Sequence, residues 1–215
     1  MLLTKEELQK QLEELADNEG LYLNEAQFQF ELAGKLRDYF AIQNRECHIY
    51  LEYPSTQKDN TGRRQYYDIV IQENNAYCVI ELKYKTKKGK INYDGIVVEL
   101  KYHAAQPLAK FDFLKDVSRI ENFEKDTDKK LDCGFVIMLT NDKSYWERDS
   151  KDGLAQEFSL MDGTTICKGC KKWRPDTKTS SVGESRKDGL KLQKDYEVVW
   201  KPYCENFKYL MLEIK

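Results

Sequence analysis

Apolar positions along the chain follow two periods. From Thr4 to Ala16, Leu8, Leu12 and Leu15 recur every three or four residues, the stripe of an amphipathic helix. Thr4 and Glu7 form a capping box at its start, and Asn18-Glu19-Gly20 ends it. A second helix is predicted over Asn24 to Phe40, with Asn24 as N-cap and Phe28, Leu32 and Leu36 as its stripe. A third runs from Pro107 to Phe123, with proline in first position and Leu108, Phe111, Leu114, Val117 and Ile120 or Glu121 on its buried side. Between the helices the period falls to two. Glu46 to Tyr53 reads as a strand. Tyr67, Ile69 and Ile71 then alternate with Asp68, Val70 and Gln72. Glu73-Asn74-Asn75-Ala76 supplies a tight turn, because asparagine tolerates positive φ. Tyr77 to Ile80 returns as a second strand that runs into Glu81-Leu82-Lys83. Leu131 to Thr140 is almost continuously apolar, as a buried central strand must be. The order helix, strand, hairpin, helix, strand predicts a three-layer α/β core with a central mixed sheet flanked by helices.

The hairpin carries charge where a core is expected. In a strand Glu81 and Lys83 share a face, with Leu82 opposite. In the obvious register Asp68 crosses the ladder close to that pair. Two carboxylates and a lysine on an apolar hairpin are costly unless paired or metal-bound. One solution is a salt bridge of Lys83 with Asp68 or Glu81. The other is a hard divalent cation, which takes oxygen ligands from one or two carboxylates and keeps several waters. On the second helix Glu25 lies one turn before Phe28 on nearly the same face. It either joins that acidic group or complements the helix dipole.

Asp68, a short hairpin and Glu81-Leu82-Lys83 together resemble the core of the PD-(D/E)XK superfamily, the restriction-endonuclease-like fold. Tyr67 stands where that pattern usually has proline. The runs NEAQFQFELA, YDIVI, IELKYKTK, DFLKDVSRIEN and LTNDKSYW are similar to a bacterial branch of the superfamily, and the resemblance extends from Asn24 to about Tyr145. It implies a restriction-endonuclease-like α/β domain and a nuclease, a phosphodiesterase dependent on Mg²⁺ or Mn²⁺ that cleaves DNA, or RNA, in defence, restriction or repair. Asp68 and Glu81 would bind the metal, joined by the Leu82 carbonyl. Lys83 would orient the attacking water, and Glu25 would complete the acidic cluster. Gln106, just before the third helix, would stand near the metal and contact the nucleic acid. A homodimer would suit double-strand cleavage. The alternative is a catalytically inactive module of the same fold that binds nucleic acid or a protein partner.

Composition narrows the picture. The 215 residues suit one domain: a core of about 24–146, a loop-rich insertion over 151–195, and C-terminal strands over 196–215. No apolar run is long enough for a membrane helix, and the acidic opening helix is unlike a signal peptide, so a cytoplasmic protein is expected. A formal net charge of −2 means that any nucleic-acid surface must be a local patch. Lys85, Lys87 and Lys88, in KTKKGK after the second hairpin strand, are the candidates for phosphate contact; a solvated loop is the plainer reading. Pro54 to Arg64 reads as another polar loop. Glu99-Leu100-Lys101 repeats the E-L-K spelling without a preceding Asp-bearing hairpin. Asp112, Asp116 and Arg119 look like a helix-surface ion-pair set, and His103 like a loop histidine. Tyr145 and Trp146 are expected to cap the core. Trp173, Arg174 and Arg186 in the insertion are available for substrate. Six cysteines include Cys78 and Cys133 in core strands. Cys167 and Cys170 form a lone C-x-x-C, for which Cys204 and His48 or His103 would have to complete a zinc site; none is expected.

Overall fold

The predicted apolar runs become neighbours in one sheet. The computed structural model describes residues 1–18, 20–58, 62–93, 95–147, 153 and 156–215. Helices α1 (Lys5–Asn18) and α2 (Glu25–Ile42) are followed by β1 (His48–Lys58), β2 (Arg64–Glu73) and β3 (Ala76–Lys85). Then come a separate hairpin, β4 (Gly89–Tyr93) and β5 (Ile96–Leu100), helices α3 (Gln106–Glu121) and α4 (Phe123–Thr127), and β6 (Lys130–Thr140). The remainder holds β7 (Thr165–Ile166), β8 (Gly169–Lys171), α5 (Thr179–Val182), β9 (Leu190–Leu192), β10 (Tyr196–Glu197), β11 (Trp200–Pro202) and β12 (Lys208–Ile214). The central sheet has the order β1-β2-β3-β6-β12-β11. Only the β3–β6 pair is parallel, and α3 makes that crossover.

Strand alternation sorts the core into two layers. Ile69, Ile71, Cys78, Ile80, Leu82 and Ile137 face α1 and α2, meeting Leu8, Leu12, Phe28, Leu32 and Leu36. Val70, Val79, Val136 and Met138 face α3, meeting Phe113, Leu114, Val117 and Ile120. Most of these side chains are fully buried, each contributing about 1.5–3 kcal/mol of apolar transfer. The caps form as the sequence predicts. Thr4 and Glu7 exchange hydrogen bonds at α1, and Asn24 accepts from the Gln27 N–H at α2. At the hairpin turn Asn74 takes φ 53°. Tyr145 and Trp146 are buried in the core.

Four expectations change. Pro54 to Lys58 is strand rather than loop. β1 continues past Tyr53, with an irregularity in pairing between Pro54 and Lys58 that accommodates the missing proline N–H. Asn92 to Tyr102 holds the end of β4 and all of β5, which pair in a hairpin outside the central sheet. In the second E-L-K, Glu99 and Lys101 are therefore solvated, with Glu99 paired to Lys90, while Leu100 is buried. The Tyr196–Trp200 strand divides into β10 and β11, which belong to different sheets. The region after Gln156 is loop-rich but carries a core of its own. Phe158, Leu160, Ile166, Trp173, Leu192 and Tyr196 are buried in the same layer as α3.

Candidate functional site

The site begins where β2 and β3 part. Their ladder runs from Glu73↔Ala76 to Ile69↔Ile80 and stops there, while β3 stays paired to β6 as far as Lys85. Opposite Asp68, the β1 residue Glu52 adopts φ 51°, and its pairing with β2 is skipped. The split leaves one edge of β3 without a strand partner, and buried backbone N–H groups must find acceptors. Two carboxylates supply them. Asp68 Oδ2 accepts from the Leu82 N–H at 2.6 Å, and Glu25 Oε2 accepts from the Tyr84 N–H at 2.6 Å. Gln29, one helical turn after Glu25, donates to the Asp68 carbonyl at 2.7 Å and to Glu52 at 3.1 Å. The first turn of α2 and the frayed start of β2 thus meet along the edge of β3.

Glu81 and Lys83 point to the other side, toward α3. The Lys83 ammonium lies 2.5 Å from Asp116 Oδ2 and 3.1 Å from its neighbouring Leu82 carbonyl. The Arg119 guanidinium lies 3.0 Å from Glu81 Oε1 and 3.2 Å from Asp116 Oδ1. Arg119 also donates to the Tyr66 carbonyl and covers the Tyr67 ring. Asp116 and Arg119 are therefore site residues, not the surface ion-pair set that their spacing suggested. The Asp116 side chain is 8% exposed. The salt-bridge partner of Lys83 is this helix carboxylate rather than Asp68 or Glu81.

Charge in this cluster is out of balance. Four carboxylates (Glu25, Asp68, Glu81, Asp116) act on one another across two cations, Lys83 and Arg119. Burial pushes the Asp68 carboxyl up to about 6, against the opposing pull of Lys83 and the Leu82 N–H. Burial, and then the Asp116 carboxylate, push Glu81 well above the ordinary range; Arg119 offsets only part of this. Lys83 moves the other way: burial pulls it down, but Asp116, Glu81, Asp68 and Glu25 together hold it well above an ordinary lysine. Glu81 Oε1 and Asp116 Oδ2 are buried oxygens that sit beside cations without hydrogen-bond alignment.

These features suit a hard cation. All the donors are oxygen, two of them lack a directed partner, and an ammonium already rests between Asp116 and the Leu82 carbonyl. Among the described residues no ready-made group of three or more His, Cys, Asp and Glu side chains converges on one point. Lys83 and Arg119 stand among the carboxylates instead. Ligation of a divalent ion by Asp68, Glu81 and the Leu82 carbonyl would thus displace the Lys83 ammonium from that carbonyl. No family model, curated protein or solved structure matches the chain.

The remaining residues expected at a site are scattered. Gln106 donates to Asp142 at 2.9 Å and approaches the Tyr102 hydroxyl, at the first residue of α3 and far along the helix from Asp116. Lys87 and Lys88 are exposed and Lys85 half-exposed, on the segment leaving β3. His103 accepts from the Thr86 N–H at 3.0 Å while its own N–H returns to the Thr86 carbonyl. It closes the base of the β4–β5 hairpin. Trp173, rather than facing substrate, stacks on Phe111 and Phe158, and Arg186 forms a two-pronged pair with Asp112. Cys167 and Cys170 are exposed free thiols; Cys78 and Cys133 are buried neighbours on β3 and β6. No helix among the described residues is long and apolar enough to cross a membrane.

Proposed function

We propose that the chain is a metal-dependent phosphodiesterase acting on DNA, with Mg²⁺ or Mn²⁺ held by Asp68, Glu81 and the Leu82 carbonyl. The observation that carries this reading is the gathering of four carboxyl groups, Glu25, Asp68, Glu81 and Asp116, around Lys83 and Arg119 at the split of β2 and β3, with Glu81 Oε1 and Asp116 Oδ2 buried and without a hydrogen-bond partner. A hard divalent ion, when bound, supplies Lewis acidity toward the phosphate and acidifies a bound water. The chain's own residues do the rest. Glu25 and Asp68 hold the exposed edge of β3 in place through its N–H groups. Asp116 positions Lys83, and Arg119 positions Glu81. Released from Asp116, the Lys83 ammonium is a mobile point charge for a phosphate oxygen or the attacking water. Water adds to phosphorus as one of its protons passes to solvent, the bond to the leaving sugar oxygen breaks, and that oxygen takes a proton from solvent, which leaves a phosphomonoester and a free hydroxyl.

A second reading has its own support, since Lys83–Asp116 and Arg119–Glu81 are already closed ion pairs. On that reading the network is structural, and the domain binds nucleic acid or a protein without cleaving. One experiment separates them: cleavage of plasmid, single-stranded and branched DNA, alongside thermal melts with and without Mg²⁺. The nuclease reading expects divalent-dependent cleavage, abolished by Asp68→Asn and by Lys83→Met. Lys83→Met leaves buried Asp116 with Arg119 as its cation and lowers the metal-free melting temperature by several degrees, and Mg²⁺ restores much of the loss. No cleavage, together with melting temperatures indifferent to Mg²⁺, would leave the structural reading in its place.

A further inference from the structure

Between β3 and α3 the chain leaves the central sheet for a hairpin of its own, β4–β5, joined at Gly95 with φ 77°. Its base is fixed. His103 and Thr86 exchange hydrogen bonds, Asn141 accepts from the Lys87 N–H at 2.7 Å, and Ile91 and Leu100 are buried. Its far end touches α2 through Tyr93 and Gln27, within the helical turn that supplies Glu25. The hairpin therefore rises beside the split edge of β3.

The two faces of the hairpin differ. Lys90, Asn92, Val97 and Glu99 share the outer face and are exposed. The inner face is apolar and emerges from the core stepwise. Leu100 and Ile91 are buried, Val98 and Tyr93 half-buried, and Ile96 is 65% exposed. Val97 is equally bare, and Tyr102 is 51% exposed at the base. Residues 85–103 hold five lysines against Asp94 and Glu99, a positive patch on a chain of net charge −2. Glu99 is matched to Lys90, which leaves Lys87, Lys88 and Lys101 exposed on the flank.

We propose that β4–β5 is a nucleic-acid arm whose ligand is single-stranded. The lysines follow the phosphates, a sequence-independent attraction. Ile96 and Val97 at the tip pack on unstacked bases. Aliphatic wedges of this kind contact bases only where stacking is already broken or is broken by insertion. An intact duplex backbone offers the tip no apolar partner. The location beside the cluster rests on the phosphodiesterase reading, but binding by the arm does not require cleavage.

The test is fluorescence anisotropy of the full chain in EDTA, with a labelled single strand of about 16 nucleotides and its blunt duplex. The single strand is expected to bind at least ~10-fold more tightly than the duplex, with affinity falling steeply as salt rises. Lys87→Glu, Lys88→Glu and Lys101→Glu combined should weaken both ligands by ~100-fold or more. Ile96→Ser with Val97→Ser should remove the single-strand preference and keep the salt dependence. Circular dichroism melts verify that both variants fold. Nucleic acid that binds both variants like the wild type overturns the arm, as does a tip that instead drives self-association abolished by Ile96→Ser with Val97→Ser. Binding that follows the expected pattern without any metal-dependent cleavage sinks the hydrolysis and keeps the arm. Cleavage undiminished in the triple lysine variant sinks the arm and keeps the hydrolysis.

Discussion

Burial pushes the Asp68 carboxyl up to about 6, so the folded protein binds its proton more tightly than the unfolded chain does. The linkage follows from that direction. The contribution to stability is complete below about pH 4 and is lost as pH rises through about 6, an amount on the order of 3 kcal/mol. Asn at this position keeps an oxygen for the Leu82 N–H but cannot titrate. In metal-free buffer the stability of wild type relative to Asp68→Asn should therefore fall between about pH 4 and pH 6.5 and then level off, as read from denaturant melts. Mg²⁺ should reverse the trend above pH 6, because a hard cation prefers the ionised carboxylates. A flat difference across that range would place Asp68 in water rather than under the split of the hairpin. At this scale the sequence pointed to four of the six residues of the cluster, Glu25 among them as one of two readings. Asp68, Glu81 and Lys83 were legible because strand alternation fixes their faces. Asp116 and Arg119 were not, since their i, i+3 spacing imitates a solvated pair. The missed signal was position: Asp116 falls between Phe113 and Ile120 on the stripe that packs α3 against the sheet.

At the scale of elements, α3 sets the geometry of that cluster, and its seat on β6 is close. Gly134 has no side chain, and a Cβ there would press into Ile120 Cγ2. Gly134→Ala should push α3 off the sheet and cost about 1–3 kcal/mol, the usual price of overpacking. Ile120→Leu removes the β-branch that meets the added methyl, and the double variant should recover part of the loss. Thermal melts of the two single variants and the double form a cycle; additive losses would mean that the two positions do not meet. The helices and core strands around this contact could be read from period alone. The fate of Asn92 to Tyr102 could not, because alternation identifies a strand but not the sheet it joins. The break between β10 and β11 escaped for a similar reason. Tyr196 to Trp200 keeps its alternation while its pairing passes from β7 to β12.

At the scale of the whole molecule, the question is whether the region after Gln156 is an appendage or part of the core. Its sequence is rich in glycine, serine and lysine and shows little periodicity, which suggests a loose insertion. Phe158, Trp173 and Tyr196 nevertheless enter the buried layer that holds α3. Trp173 stacks on Phe111 with ring centroids 5.1 Å apart and meets Phe158 at 4.5 Å, and its indole N–H donates to the Arg186 carbonyl. Arg186 in turn grips Asp112 with both prongs at 2.6 and 2.8 Å. The segment then returns to the central sheet through β11 and β12, and Trp146 and Trp200 pack together at that return. One face of α3 thus holds the insertion while another holds Lys83 and Glu81, and a single sheet underlies both. Trp173→Ala should cost about 3–5 kcal/mol, because it empties an aromatic cluster that nothing nearby can refill. Unfolding should remain a single transition. In wild type, far-ultraviolet dichroism and tryptophan fluorescence, to which Trp173 contributes from the insertion, should lose signal at one denaturant concentration; in the variant the dichroism should be lost at a lower one. An early fluorescence change that leaves the dichroism intact would show instead that the insertion melts alone, and α3 would then hold Asp116 and Arg119 in place without its help.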